Sequence, residues 1–217
     1  LLMYCMYCSL AVAGITSNLI VCYIIVSSQR MRTATNLFLI NLAVGDIMMS
    51  CLCIPFAFVS NLIYQYWPFG SVMCVVVSYA QANSVFVSAY TMVAISIDRY
   101  LAIMYPMRLR MTKLQAKILI AVIWSAAVLT SLPTALLSGL APISGSEHES
   151  CVEQWDNPDS RYYYSMALMV LQYFLPLLVL VITYTRIGIV VWGKRTPGEA
   201  ENARDARIAR SKRKLKC

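Results

Sequence analysis

The sequence predicts an all-α membrane protein with five transmembrane helices, on three observations. First, 59% of its 217 residues are apolar and only 13% are charged, where a soluble domain carries about 25% charged residues. Second, no Asp, Glu, Lys or Arg occurs in 1–29, 47–97, 118–146 or 162–185. At about 20 residues per crossing, these stretches hold five spans, one of which borrows residues 35–46, where Asp46 is the only charge. Third, most of the charge behind the net +8 sits between the spans.

That charge is sorted by sign. Arg30 and Arg32 follow the first span, Arg108, Arg110, Lys113 and Lys117 lie between the third and fourth, and a basic stretch fills 194–217. Segment 147–159 instead holds Glu147, Glu149, Glu153, Asp156 and Asp159 and no Lys or Arg. By the positive-inside rule the basic loops face the cytosol and the acidic loop faces out. The N-terminal end is then extracellular and the C-terminal end cytoplasmic. A soluble nucleic-acid binder is excluded, because the basic residues are separated by spans that water would not tolerate.

Span one covers about 2–27, with Gly14, Ser17 and Asn18 at helical spacing. Small and amide side chains suit close helix contact, so Asn18 points into a bundle. Span two runs over about 35–60 and carries Asp46 well inside. An ionised carboxylate in hydrocarbon is costly and faces the protein interior; it serves either an ion site or switch, or plain helix packing. Pro55 kinks this helix near its outer end. Residues 61–72 combine Trp67, Pro68 and Gly70 in a short outer turn.

Span three, about 72–104, is the most informative. Cys74 marks its outer end and Asp98-Arg99-Tyr100 its inner end, with Gln81, Asn83, Ser84 and Ser88 between them at helical spacing. It therefore reads as a central helix lining a polar interior, with Gln81 at a depth suited to a ligand arriving from outside. Adjacent Asp98 and Arg99 can pair locally while Arg99 reaches across the bundle floor and exchanges partners; the alternative is an interfacial arginine snorkelling to headgroups. Span four, about 116–138, contains Trp124 and Pro133, and the loop after it carries Cys151 and the single histidine, His148. Span five, about 162–192, opens at Tyr162, Tyr163 and Tyr164 and is broken by Pro176, eight residues before Tyr184. Residues 1–193 thus form the membrane domain and 194–217 a basic cytoplasmic loop or tail suited to anionic lipid or a cytoplasmic protein.

Nothing in the chain supplies enzyme chemistry. His148 has no paired nucleophile, Asp46 and Asp98 lie at different depths, and no G-x-G-x-x-G, Walker-type loop or H-E-x-x-H occurs. A transporter half would show an inverted repeat or small residues at discontinuous helices, and the sequence has neither.

In order and spacing these residues match a family. Gly14 and Asn18, NLFLINLAVGD at 36–46, WPFG at 67–70, Cys74, AISIDRYLAIMYP at 94–106, Trp124, Cys151, FLPL at 174–177 and Tyr184 follow one another over about 190 residues. The chain resembles the rhodopsin-like (class A) G-protein-coupled receptors, within them the peptide receptors of the neuropeptide Y and tachykinin type. That family has seven helices, so the resemblance implies a chain that stops before the sixth and seventh. It is then either part of a receptor that signals when completed by those helices, or a natural five-helix isoform that does not signal and acts by pairing with or retaining a full-length relative.

Site by site, the resemblance implies several roles. Asp46, with Ser88 and Asn18, would form a sodium site that favours the resting state, the one inorganic cofactor expected. Cys74 and Cys151 would form an outer disulfide. Arg99, restrained by Asp98 and followed by Tyr100, would engage a heterotrimeric G protein; Tyr184 would swing toward Arg99, Pro176 would let span five rearrange, and Pro106 and Met107 would lie in the docking loop. Gln81 stands where amine receptors carry an aspartate, which argues against a small amine. Together with the acids of 147–159 it implies an extracellular peptide, basic and amidated, steered by complementary charge. The setting is the plasma membrane, multi-pass and in contact with lipid.

Overall fold

The computed structural model describes residues 2–105, 107 and 109–193. Among the described residues five helices are long and apolar enough to cross a membrane: α1 (Leu2–Ser27), α2 (Ala34–Tyr64), α3 (Gly70–Met104), α4 (Lys113–Leu137) and α5 (Pro158–Val191). A two-stranded antiparallel hairpin, β1 (Ser138–Pro142) and β2 (Glu149–Glu153), joins α4 to α5. The fold is thus all-α in its membrane part, with a small sheet at one end.

Local chemistry sets the helix starts. Thr33 Oγ1 accepts from the Asn36 amide at the start of α2. At α4, Thr112 Oγ1 accepts from the Gln115 amide at 3.2 Å while Gln115 Oε1 accepts from the Thr112 amide at 3.0 Å, a capping box that satisfies two otherwise unpaired donors. Asn157 caps α5 through the Asp159 amide, with Pro158 at the first helical position, where its missing N–H costs nothing.

Prolines shape the helix interiors. A proline removes one helical hydrogen bond and its ring crowds the carbonyl four residues earlier. For Pro55 and Pro176 those carbonyls belong to Cys51 and Gln172, and both lie in widened π turns, Met49–Cys53 and Val170–Phe174. Opening the turn relieves the crowding. A further π turn, Val59–Tyr64, carries α2 beyond residue 60 and ends at Gln65. Pro133 lies inside α4 without such a turn.

The core sits where α2, α3 and α4 meet. Phe38, Phe86, Val87, Ala94, Ala116, Ile123 and Ala127 form one buried cluster. α3 packs against α2, α4, α5 and both strands, and is the central helix. Small residues permit the closest approaches. A Cβ on Gly45 would lie 2.8 Å from Ser88 Oγ, and one on Gly14 would overlap Ser50 Oγ. These glycines let α3 and α1 draw near α2, as small residues do where helices meet in lipid.

The connection after α4 differs from a plain loop. Ser138 pairs with Glu153 and Pro142 with Glu149, and the turn closes through the Ile143 amide donating to the His148 carbonyl at 2.9 Å. Gly145, at φ +83, occupies the left-handed turn position. Below the hairpin, the Gln154 amide donates to the Leu137 carbonyl at 2.7 Å, tying the strand to the end of α4.

Candidate functional site

A cavity of about 400 Å³ opens at the hairpin end between α2, α3 and β2. Gln81 lines it, with Asn61, Gln65, Tyr66, Trp67 and Ser150 among its neighbours. The volume is in the range of ligand sites, and a few polar groups among apolar and aromatic walls are what such sites use to orient a ligand. None of its lining residues is charged.

The cavity is roofed by a covalent and a hydrogen-bonded tie. Cys74 near the start of α3 and Cys151 in β2 form a disulfide, with Cα atoms 5.5 Å apart. The Trp67 amide donates to the Glu149 carbonyl at 2.8 Å, and Trp67 Nε1 donates to the Gly70 carbonyl at 2.8 Å. The acids of the hairpin region fall into two groups. Glu147, Glu149, Asp156 and Asp159 are exposed. Glu153 is half-buried and accepts from Thr134 Oγ1 at 3.2 Å and from Trp155 Nε1 at 3.0 Å. Tyr164 of α5 donates to the Thr130 carbonyl at 2.9 Å, and its hydroxyl oxygen lies 2.9 Å from that of Thr134. Glu153 is thereby built into a clamp joining β2, α4 and α5.

At mid-bundle, Ser88 Oγ donates to Asp46 Oδ1 at 3.0 Å, linking α3 to α2. Asn18 does not join this pair by a hydrogen bond. Its Nδ2 donates to the Gly14 carbonyl at 2.8 Å, one turn back in its own helix. A second network lies one to two turns away. Trp124 Nε1 donates to Asn41 Oδ1 at 2.8 Å, and Asn41 Nδ2 donates to Thr91 Oγ1 at 2.7 Å. One buried amide so joins α4, α2 and α3. The sequence places Trp124 in span four and Asn41 within the 36–46 stretch of span two but does not pair them; the usable signal is an amide and an indole in spans where lipid satisfies neither.

At the opposite end, Asp98 is held differently from the sequence expectation. Thr35 Oγ1 donates to Asp98 Oδ2 at 2.7 Å, and among the described residues no Lys or Arg nitrogen lies within 4.0 Å of a carboxylate oxygen. Asp98 and Arg99 therefore do not pair. Successive helical residues point about 100° apart, so neighbours in sequence do not face each other, whereas Thr35 on α2 does face the carboxylate. Arg99 is exposed and lines a cavity of about 420 Å³ with Thr33, Thr35, Asn36, Asp98 and Arg110. Tyr100 is half-buried, and Tyr184 is 53% exposed on α5 with no side-chain hydrogen bond among the described residues. Met107 is almost fully exposed. Pro106 and the basic stretch 194–217 lie outside the described residues.

A ligand-sized cavity under a disulfide-anchored hairpin, a carboxylate–hydroxyl pair at mid-bundle and an Asp-Arg-Tyr end on the central helix define a membrane receptor bundle. Residues 17–216 match the model of the 7 transmembrane receptor (rhodopsin family), and the chain belongs to that family. It is a multi-pass membrane protein of a receptor class and not an enzyme. Among curated relatives, the RYamide receptor of Drosophila melanogaster is 50% identical over 220 residues, covering 99% of this chain and 47% of the relative. The RYamide receptor of Tribolium castaneum is 48% identical, covering 98% of this chain and 60% of the relative. Tachykinin-like peptides receptor 99D of Drosophila melanogaster is 37% identical, covering 91% and 39% respectively. The chain spans about half the length of these relatives.

Proposed function

We propose that the chain is the first five helices of a G-protein-coupled receptor for an extracellular amidated peptide of the RYamide type. The observation that carries this is the near-50% identity to two RYamide receptors over almost the whole chain. The geometry agrees with it. With the hairpin outside and the basic loops inside, the Gln81 cavity faces the extracellular medium at the plasma membrane and the Arg99 cavity faces the cytosol. Gln81, Asn61 and Gln65 present amides to the cavity, and an amide both donates and accepts, which suits a carboxamide end. The exposed acids Glu147 and Glu149 lie at the hairpin tip and steer an arginine-bearing ligand.

Signalling is coupling between the two ends through states of different affinity. Peptide binding favours a bundle with an open cytosolic cleft. Arg99, unpaired with Asp98, is then available to a heterotrimeric G protein, with Tyr100, Tyr184, Pro106 and Met107 around the docking region. The polar pair at mid-bundle fits a sodium ion in part. Asp46 and Ser88 present oxygens at one place, the ligand type a hard cation takes, and Asn18 keeps its carbonyl oxygen free of the bond its nitrogen makes. Bound there, sodium would supply positive charge that neutralises Asp46 and holds α2 and α3 in the resting arrangement.

The test is a full-length receptor carrying this chain, expressed in cells that report calcium or cyclic nucleotide. An RYamide should activate it, and the same peptide with a free carboxylate should be at least about tenfold weaker, the loss of one charge-compatible polar anchor. No response to the amide at confirmed surface expression would refute the proposal.

A further inference from the structure

Three features of the cavity rim are explained neither by its polar lining nor by the disulfide. Gln65, directly after α2, has φ 60, a left-handed conformation that a non-glycine residue keeps only where its surroundings over-determine it. Tyr66 stacks on the imidazole of His148, ring centroids 4.0 Å apart and planes within 8°. Trp67, the next residue, is bonded through its amide to the Glu149 carbonyl. Gln65, Tyr66 and Trp67 all line the cavity, whereas His148 does not.

The division of labour follows from which atoms each contact holds. The Trp67–Glu149 bond fixes backbone and leaves the Tyr66 ring free to rotate. What fixes the ring is the stack, and the stacking partner is itself held. The His148 carbonyl accepts from the Ile143 amide at 2.9 Å, and the His148 amide donates to Ser146 Oγ at 3.3 Å. The imidazole is thus presented from a closed turn rather than from a loose loop tip. The other aromatic neighbour of Tyr66 is Tyr64, at 5.4 Å and from the same short segment, so His148 is the aromatic partner that reaches it from the hairpin.

We propose that His148 is a positioning residue of the ligand site: it holds the Tyr66 ring as a wall of the cavity and so sets how freely a solute reaches Gln81. This rests on reading the cavity as the ligand site. With the stack intact, Tyr66 narrows the mouth between α2 and the hairpin, and Gln65 is kept in its left-handed conformation between α2 and the tied Trp67. Without it, the ring turns outward and the mouth widens.

The experiment needs no peptide. The full-length receptor carrying Gln81→Cys is labelled on cells with a charged, membrane-impermeant methanethiosulfonate, and receptor without that substitution reports the background from native free cysteines such as Cys5, Cys8 and Cys51. His148→Ala should speed labelling of position 81 by roughly 2- to 12-fold, the factor to which an aromatic stack corresponds. His148→Phe, which keeps a stacking ring, should label at the starting rate. Tyr66→Ala and Tyr66→Phe supply the same comparison from the other ring if a His148 variant fails to reach the surface. Labelling unchanged by His148→Ala, or accelerated equally by His148→Phe, would overturn the proposal. An RYamide that fails to activate the receptor would count against the function proposed above and leave the labelling result as it stands.

Discussion

Replacing Asn41 by leucine isolates the energetics of the buried amide that joins three helices. Asn41 is 7% exposed; its Oδ1 accepts from Trp124 and its Nδ2 donates to Thr91. Leucine of similar size removes both bonds and leaves an indole N–H and a hydroxyl without their partner. Hydrogen bonds between membrane helices are worth on average about 0.6 kcal/mol and at most about 1.7 kcal/mol, so the pair contributes about 1–3 kcal/mol. For a chain of this size each kcal/mol moves the thermal midpoint by about 2–4 °C, which predicts a fall of about 2–12 °C for Asn41→Leu in detergent. Trp124→Phe removes only the indole donor and should cost about half as much. Because both substitutions break the same bond, the double variant should be less destabilised than their sum by about 0.6–1.7 kcal/mol. A midpoint for Asn41→Leu within about 1 °C of the parent, or strict additivity with Trp124→Phe, would refute the reasoning.

Four further outcomes follow from the same contacts. Cys74→Ser frees a link between residues 77 apart in sequence, worth about 4 kcal/mol in loop-closure terms; peptide binding should fall by more than about tenfold at equal surface expression, and a parent receptor with both thiols free to alkylation would contradict the bridge. Gly45→Val places side-chain atoms against Ser88 Oγ, so it should separate Asp46 from Ser88 and abolish any effect of sodium on agonist affinity in competition binding. Thr35→Val removes the hydroxyl donor from Asp98 and should raise basal nucleotide exchange on the G protein; unchanged exchange at matched expression would deny Thr35–Asp98 a restraining role. Arg99→Ala should keep peptide affinity and lose G-protein activation, and retained activation would remove Arg99 from the switch.

Much of the fold was legible because hydrocarbon is an exacting solvent. A backbone crossing it must satisfy its own polar groups, so the charge-free stretches had to be helices and their number followed from length. Pro55 and Pro176 marked the interruptions in α2 and α5 for equally local reasons. The sites were legible only in part. Asp46 meets Ser88 because side chains at matching depth on adjacent helices face a common interior, and Cys151 comes to the Gln81 cavity because its disulfide ties the hairpin to the outer end of α3. Asn18 stood at the right depth as well, yet its amide found a nearer acceptor in Gly14. Adjacency misled at Asp98-Arg99, where the helical turn directs the two charges apart and brings Thr35 to the carboxylate.

By itself, then, the sequence determined the class of protein, the number of spans and the helix that would lie at the centre. These follow from solvent transfer and chain-local geometry, which every residue carries with it. Tertiary structure alone decided the partners. Asn41 with Trp124, Glu153 with Thr134, and Tyr66 with His148 are separated by 83, 19 and about 80 residues respectively. No local preference encodes such pairings. They arise when packed helices and a disulfide-tied hairpin bring a donor to an acceptor, or one ring to another, away from competing water.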